Sequence, residues 1–191
     1  YLTAVVLLCV LTTPFFKNKW RQYGGWVALA GLLPLIYFYT NQFYELERPV
    51  ALYGHMLLLD RQALFFKVLF TVSVVIFYCY YLVMNRSEDD EQVGEYHFMI
   101  LASLLGLNIV VMSNNLLVVF LAFETVSLAL YSLVLFGDSR ARPEAGIKYV
   151  IFGAVSTAIM LFGASIVYAL NGSLDFSSLF NASMVEKTNS P

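Results

Sequence analysis

Residues 116–136 read LLVVFLAFETVSLALYSLVLF, an apolar run of 21 residues that contains one charged side chain, Glu124. An α-helix needs about 20 apolar residues to cross the hydrocarbon core of a bilayer. The apolar side chains occur all round the helix rather than along one stripe, as in helices surrounded by lipid or by other helices. Strands of a membrane β-barrel would be shorter and would alternate apolar with polar residues. The run therefore predicts a membrane-spanning helix with a carboxylate inside it.

The rest of the chain has the same apolar character. Of its 191 residues, 60% are hydrophobic and only 13% are charged, whereas a soluble domain has about 25% charged residues. We predict an all-α, polytopic membrane protein that forms a single membrane domain over residues 1–191. About six transmembrane helices are expected, at residues 2–16, 26–43, 63–84, 96–112, 116–136 and 144–170.

Composition and motifs exclude several classes of function. The net charge of −2 comes without a clustered basic face, so no nucleic-acid partner is expected. Cys9 and Cys79 have no Cys or His at metal-ligand spacing, so neither a disulfide framework nor a metal site is predicted. The sequence also contains no phosphate-binding Gly-rich loop, nucleophile elbow, HExxH or CxxC. Enzyme chemistry of the kind found in soluble proteins is therefore not predicted.

Positive charges predict the orientation of the helices. Cytoplasmic loops of membrane proteins are richer in Lys and Arg than loops on the other side. The connections after the first, third and fifth spans hold six such residues, Lys17, Lys19, Arg21, Arg86, Arg140 and Arg142. The opposite side holds three, Arg48, Arg61 and Lys187. The side with six is predicted to be cytoplasmic, or its organellar equivalent.

The connections differ in length. Asn114 and Asn115 leave almost no room between two spans, which predicts an antiparallel helical hairpin. The longer connection 44–62 is expected to lie along the membrane surface. Pro143 suits the first position of a helix, and Glu144 then lies in the first turn, where the helix dipole favours an anion. Because the chain starts with Tyr1 inside an apolar run, we expect it to be a fragment of a longer protein.

Glu124 is the first candidate for a functional residue. It lies about 12 Å from the start of its helix, too deep for its short side chain to reach water. A carboxylate at this depth is costly and is expected to face the bundle interior, a cation or a water-filled cavity. A functional interpretation is a proton relay, since burial and a nearby cation can together balance a carboxyl group for proton exchange. A structural interpretation is a satisfied core carboxyl, with Thr125 and Ser127 as similar contacts between helices.

The cations near the spans have simpler interpretations. Lys148 follows Glu144 by four residues, so the two can form an ion pair on one helix face. Its depth differs from that of Glu124 by about 10 Å, so a direct pair between them is not expected. Lys67 and His97 are predicted to be interfacial because each lies within two turns of a helix end. Asp60 and Arg61 form a predicted interfacial ion pair, and Asn108 is a candidate for helix or water contacts. Six small residues on the last span predict close helix packing, Gly153, Ala154, Ser156, Gly163, Ala164 and Ser165.

Two segments carry a resemblance to a known family. Residues 123–131 read FETVSLALY and residues 144–154 read EAGIKYVIFGA, with 24 residues separating Glu124 from Lys148. Both resemble, in order and spacing, the signature of the antiporter-like membrane subunits of respiratory complex I. Within them the pattern is most similar to subunit N, the counterpart of mitochondrial subunit 2. The likeness is strong over residues 94–176 and otherwise rests on hydropathy.

This resemblance implies a proton-translocating module of an NADH:quinone oxidoreductase, with about fourteen helices arranged in inverted repeats. Residues 1–93 would then hold the first three helices, and residues 94–191 the start of the first proton-channel repeat. By analogy, Glu124 would be the carboxylate of a half-channel, Lys148 would contribute to the same polar axis, and Glu144, Ser127 and Tyr131 would support them. The family's principal lysine partner lies on a later helix.

The resemblance also implies partners and a location. No cofactor is expected in this chain, while FMN, iron–sulfur clusters and quinone would belong to partner subunits. The expected partners are other complex I membrane subunits, the lipid bilayer and protons. The expected location is a bacterial inner membrane or, alternatively, an organellar one. Two other functions remain open, a subunit of a multi-subunit cation/proton antiporter and a structural membrane anchor.

Overall fold

The computed structural model describes residues 24–84, 93–135 and 142–180. Its helices are α1 (Gly24–Glu45), α2 (Arg61–Met84), α3 (Val93–Val110), α4 (Leu116–Leu135) and α5 (Arg142–Asn171). Strands β1 (Val50–Leu52) and β2 (Leu57–Leu59) form a short antiparallel hairpin between α1 and α2. Each helix end lies within three residues of its predicted position. The predicted span 2–16 lies outside the described residues.

Three of these helices combine the length and the apolar character of a membrane span. Among the described residues, the segments Arg61–Tyr80, Leu116–Leu135 and Pro143–Asn171 are long and apolar enough to cross a bilayer, and Glu95–Val110 is a shorter apolar helix. The all-α, polytopic membrane fold predicted from the sequence is confirmed.

Side chains just before two helices cap their first turns. Asp60 Oδ1 accepts a hydrogen bond from the backbone N–H of Ala63 at 2.7 Å, and Asn115 Oδ1 accepts one from Leu117 at 2.8 Å. Both side chains satisfy N–H groups that have no partner within the helix. The predicted Asp60–Arg61 ion pair is wrong, because Asp60 caps α2 while Arg61 Nε donates to the carbonyl of Leu46 at 3.0 Å.

The connection 44–62 contains a β-hairpin that was not predicted. Val50 pairs with Leu59 and Leu52 with Leu57. Its turn holds Tyr53, Gly54 and His55 at positive φ values of 51°, 64° and 71°. A left-handed conformation is ordinary for glycine and uncommon for the other two residues. A turn of this kind leaves no local hydrophobic pattern by which it could be recognised.

Three connections meet at one end of the bundle and form what we call the junction. The hairpin joins the α3–α4 connection through Leu58 N to Met112 O at 2.7 Å, and through Asn114 N to Met56 O at 2.8 Å. The segment after α5 joins the same connection, with Leu116 N bound to Leu174 O at 2.9 Å. All three connections were predicted to lie on the less positively charged side. Their meeting at one end confirms the predicted up-and-down order of these helices.

Helices α1, α2 and α3 enclose the main core. Its apolar members are Ala28, Leu29, Leu32, Leu35, Tyr39, Leu64, Tyr78, Ile100, Leu101 and Leu104. Four polar residues of the helices are buried as well, Lys67, Thr71, His97 and Asn108. Polar groups buried to this extent need partners or an exceptional reason to be there. The core of the first three described helices is therefore less uniform than their hydropathy predicts.

Helix α4 packs on α3 and α5 packs on α4. At Gly106 of α3 an added Cβ would lie 2.7 Å from Val126 Cγ2 and 3.0 Å from the carbonyl oxygen of Ala122, so the backbones of α3 and α4 approach closely. On α5, a Cβ at Gly146 or Gly153 would overlap Leu135 or Tyr131 of α4. The predicted role of Gly153 in close packing is confirmed, whereas Gly163 has open space around it within the described chain.

Candidate functional site

Glu124 lies inside α4 and is half-buried. Its Oε1 atom is buried, and no hydrogen-bond partner for this atom lies within the described parts of the chain. An acceptor left without a donor in an apolar setting is costly and therefore points to a further partner, such as water or a side chain. The prediction that Glu124 is directed into protein rather than into lipid agrees with this burial.

The face of α4 that carries Glu124 can be identified from its neighbours. Glu124, Tyr131 and Leu135 follow one another at spacings of seven and four residues, which places them on one side of a helix. Tyr131 and Leu135 are the residues that contact α5, at Gly153 and Gly146. Glu124 therefore faces the same neighbouring helix, about 10 Å further along α4 from Tyr131. The residues that face α3, such as Ala122, lie on the opposite side.

Lys148 forms an ion pair with Glu144 as predicted. Its Nζ lies 2.5 Å from Glu144 Oε1, and both side chains are exposed, by 64% and 71%. Lys148 follows Gly146 by two residues, or about 200° around the helix, so the pair lies on the side of α5 away from α4. The mutual contacts of α4 and α5 place Lys148 about 15 Å from the level of Glu124, more than the predicted separation. Glu124 and Lys148 are therefore not brought together.

Tyr131 and Ser127 have separate surroundings. The ring of Tyr131 packs edge-on against that of Tyr149, with centroids 4.8 Å apart at an angle of 80°. Ser127 is half-buried, one turn from Glu124. The structural interpretation of Glu124 gave Thr125 a contact between helices, but its hydroxyl donates to the carbonyl of Leu121 in its own helix at 2.9 Å. This part of the structural interpretation is wrong, because the nearest acceptor for a threonine in a helix is the carbonyl four residues earlier.

Lys67 is not interfacial as predicted. Only 7% of its surface is exposed, and its Nζ lies 5.2 Å from the centroid of the Tyr39 ring. The prediction used distance along the helix, and by that measure Lys67 is close enough to the end of α2 to reach water. Its side chain instead lies on the face that α2 turns towards α1 and α3. The position of Lys67 depends on which face of α2 turns towards the other helices, and the all-round hydrophobic pattern does not show this.

His97 is buried for the same reason. It is 2% exposed, its ring lies 5.3 Å from that of Tyr78, and the Tyr78 hydroxyl donates to its carbonyl oxygen at 3.3 Å. Its predicted interfacial position is therefore wrong. The polar residues of α2 do show a signal, since Lys67, Thr71 and Tyr78 are spaced by four and seven residues on one face. That spacing identifies a polar stripe directed into the core.

Across residues 24–84, 93–135 and 142–180, no group of three His, Cys, Asp or Glu side chains lies close enough to hold a metal ion. The candidate groups are therefore a half-buried carboxylate facing α5, an exposed ion pair on α5, and a buried lysine between α1, α2 and α3.

Comparison with known proteins identifies the family. A profile described as NADH:quinone oxidoreductase/Mrp antiporter, transmembrane, matches residues 113–190. NADH-quinone oxidoreductase subunit N 2 of Chloroherpeton thalassium is 34% identical over 90% of this chain and 34% of its own length. F(420)H(2) dehydrogenase subunit N of Methanosarcina mazei is 30% identical over 90% of this chain and 36% of its own. The chain thus spans about a third of the length of these relatives.

Solved structures share the fold. A chain of the membrane-bound sulfane sulfur reductase, an archaeal respiratory membrane complex, superposes on 91% of this chain with a TM-score of 0.76 and 18% identity, using 37% of its own length. A chain of respiratory complex I from Thermus thermophilus superposes on 92% with a TM-score of 0.71 and 20% identity, using 38% of its own. The chain belongs to the antiporter-like membrane subunits of the NADH:quinone oxidoreductase and Mrp antiporter family, and within that family it is similar to the N-type subunits.

Proposed function

We propose that this chain is part of a membrane subunit of a proton-translocating NADH:quinone oxidoreductase in a bacterial inner membrane, and that Glu124 takes up and releases the translocated proton. The observation that carries the proposal is the buried Oε1 of Glu124, which lacks a hydrogen-bond partner within the described residues. A carboxyl group at this depth in a membrane-length apolar helix is costly to bury, and such groups mark ion or proton pathways by default.

In this proposal the protein supplies a protonatable group inside the bilayer and a second charged site, and a proton path connects the two. Glu124 holds the proton between α4 and α5, while the ion pair of Lys148 with Glu144 lies about 15 Å further towards the other end of α4. The gap is too long for direct transfer, so water or side chains of further helices bridge it. The nearby hydroxyls of Ser127 and Tyr131 are the candidates for orienting such water.

Redox chemistry belongs to partner subunits in this proposal. FMN, iron–sulfur clusters and quinone are assigned to them, and electron transfer acts on this chain by changing the surroundings of Glu124. Relatives named NADH-quinone oxidoreductase subunit N support NADH as the electron donor. The relative in Methanosarcina mazei, named as a subunit of an F(420)H(2) dehydrogenase, supports a different donor for the same membrane module.

A second candidate function is a subunit of a multi-subunit cation/proton antiporter. The family description names Mrp antiporters beside NADH:quinone oxidoreductases, which favours this alternative over a structural anchor. The two are separated by purifying the full-length protein under mild conditions. Flavin and iron–sulfur subunits should purify with it if the first proposal is correct, whereas their absence together with cation-dependent proton exchange supports the antiporter.

The proton-carrying role of Glu124 is tested by Glu124→Gln in the intact complex. Glutamine preserves size and hydrogen bonding but cannot exchange a proton, so we expect proton translocation to be lost while the complex still assembles. Glu95→Gln, which changes an exposed carboxylate in the first turn of α3, is the matched control and should translocate protons normally. Normal translocation by Glu124→Gln would contradict the relay.

A further inference from the structure

Lys67 is a buried cation that the proposed function does not use. Leu64, Lys67, Thr71 and Tyr78 form the buried face of α2. The Lys67 Nζ atom lies over the Tyr39 ring, and within the described residues no carboxylate lies within 4.0 Å of it. An aromatic face attracts an ammonium group but accepts none of its three hydrogen bonds in the way that an oxygen does. The Tyr39 ring therefore leaves the hydrogen-bonding capacity of the Lys67 ammonium unused.

Asn108 supplies an unused acceptor on the neighbouring helix. It is 4% exposed, and its Nδ2 donates to the carbonyl of Leu104 at 2.7 Å. Its Oδ1 is buried and has no partner among the described residues. Asn108 shares the face of α3 that carries His97, Leu101 and Leu104, which is the face directed at the core. Lys67, whose ammonium lies over the Tyr39 ring, and the unpartnered Oδ1 of Asn108 thus belong to one core.

The two groups lie at about the same depth. Helices α2 and α3 run in opposite directions, and the hydrogen bond from the Tyr78 hydroxyl to the His97 carbonyl relates their levels. Lys67 precedes Tyr78 by eleven residues and Asn108 follows His97 by eleven, so each lies about 16 Å from that contact in the same direction. A water molecule between Lys67 Nζ and Asn108 Oδ1 would satisfy both, as buried waters commonly do.

This layer also contains Glu124. Gly106, two residues before Asn108, lies between Ala122 and Val126 of α4, which is the level of Glu124. Counting from the junction gives the same result, since Lys67 lies about 9 Å from the start of α2 and Glu124 about 12 Å from the start of α4. Lys67 is therefore closer in depth to Glu124 than Lys148 is.

We propose that Lys67 and Asn108 bind a water molecule and form a second proton-exchanging site of this chain, in the same membrane layer as Glu124. The ammonium of Lys67 gives a proton to the bound water, and that water gives one of its own protons to the next water of the path. One N–H bond breaks, the water keeps two O–H bonds, and the amine becomes neutral. A proton arriving from the other direction restores the ammonium, and nothing is oxidised or reduced. This inference rests on the proposed function, because it takes the protein to be a proton translocator.

Two substitutions in the full-length subunit of the intact complex test Lys67. Lys67→Met keeps nearly the length of the side chain but removes the charge. Lys67→Arg keeps the charge and the contact with Tyr39, but an arginine side chain stays protonated in a protein and cannot release its proton. Both should lower the number of protons translocated per electron at least severalfold, with the complex still assembled. Thr71→Val, on the same buried face, is the matched control and should leave that number unchanged.

Asn108→Leu keeps the volume of the side chain and removes the acceptor, so it should lower the same ratio. If the Lys67 variants do not assemble, Asn108→Leu tests the same site in their place. A cryo-electron microscopy map of the intact complex should show water density within hydrogen-bond distance of Lys67 Nζ and Asn108 Oδ1. A carboxylate from another helix paired with Lys67 would overturn the water site.

The outcomes separate this inference from the proposed function. Wild-type translocation per electron in Lys67→Arg would show that a fixed charge suffices and would overturn proton exchange at Lys67. A wild-type number of protons translocated per electron in Asn108→Leu would likewise overturn proton exchange at Lys67. Loss of translocation in Glu124→Gln alongside normal Lys67 variants contradicts only the second site, whereas normal translocation in Glu124→Gln contradicts the proposed function itself.

Discussion

The hydroxyl of Tyr131 lies so close to the Cα of Gly153 that any side chain at residue 153 would overlap it. The ring of Tyr131 is also held from the side by Tyr149, 4.8 Å away between centroids. This contact brings α5 against the face of α4 that carries Glu124. The geometry of the candidate site therefore depends on the absence of a side chain at one position of α5.

Gly153→Ala should weaken the packing of α4 on α5. Forcing a methyl group into such a contact typically costs about 1–3 kcal/mol, because the neighbouring side chain must leave its preferred position. The thermal stability of the purified complex and its yield measure the effect. Gly163→Ala, where the described chain leaves open space, should change neither. Equal stability of both variants would show that Tyr131 moves away without cost.

Gly106→Ala should disturb the α3–α4 hairpin more severely. The added methyl would meet the Val126 side chain and also the backbone of α4, at the carbonyl of Ala122 and the N–H of Val126. A backbone cannot rotate out of the way as a side chain can, so the helices must separate. Thermal stability and yield of the purified complex measure the effect. Adding Val126→Ala to Gly106→Ala should restore only part of the lost stability. Full restoration would show that the side-chain overlap alone matters.

Asp175→Ala should loosen the junction. The Asp175 carboxylate accepts a hydrogen bond from Asn115 Nδ2 at 2.6 Å, and Asn115 also caps α4. A hydrogen bond to a charged group contributes about 1.5–3 kcal/mol. We expect lower thermal stability and faster amide hydrogen exchange around residues 113–117 and 174–179.

Two further variants interpret the junction result. Asn115→Ala removes the same bond together with the cap, so its effect should be the larger of the two. Ser178 lies on the same segment, and its hydroxyl donates to Ser173 Oγ and to the carbonyl of Asp175. Ser178→Ala should therefore leave exchange at residues 113–117 unchanged. Unchanged exchange there in Asp175→Ala as well would show that the backbone hydrogen bonds of the junction suffice.

Lys148→Ala should reduce proton translocation less than Glu124→Gln does. Lys148 is exposed, is paired with Glu144 and lies on the side of α5 away from Glu124. For stability the pair should matter little, since exposed ion pairs contribute about 0.3–0.5 kcal/mol at this spacing. A double-mutant cycle with Glu144→Ala measures that coupling. A loss of translocation as complete as that in Glu124→Gln would refute the separation of the two residues.

The sequence predicted the helices more accurately than the side-chain positions. Bilayer thickness requires long apolar runs, and such runs are visible without any knowledge of packing, so α4 was placed correctly to within one residue. The ion pair of Lys148 with Glu144 was also predicted, because both residues belong to one helix. The hairpin was missed, since the left-handed turn at Tyr53 and His55 has no periodic pattern.

What the sequence determined by itself is local, namely which segments are helices, that Lys148 and Glu144 pair on one helix, and that Glu124 lies in an apolar run. Only the tertiary structure decided which face of each helix points to its neighbours. Lys67 and His97 are buried because α2 and α3 turn those faces towards a shared core, and Glu124 faces α5 because Tyr131 fits against Gly153. An all-round hydrophobic helix has no preferred side of its own, so contacts between helices must select it.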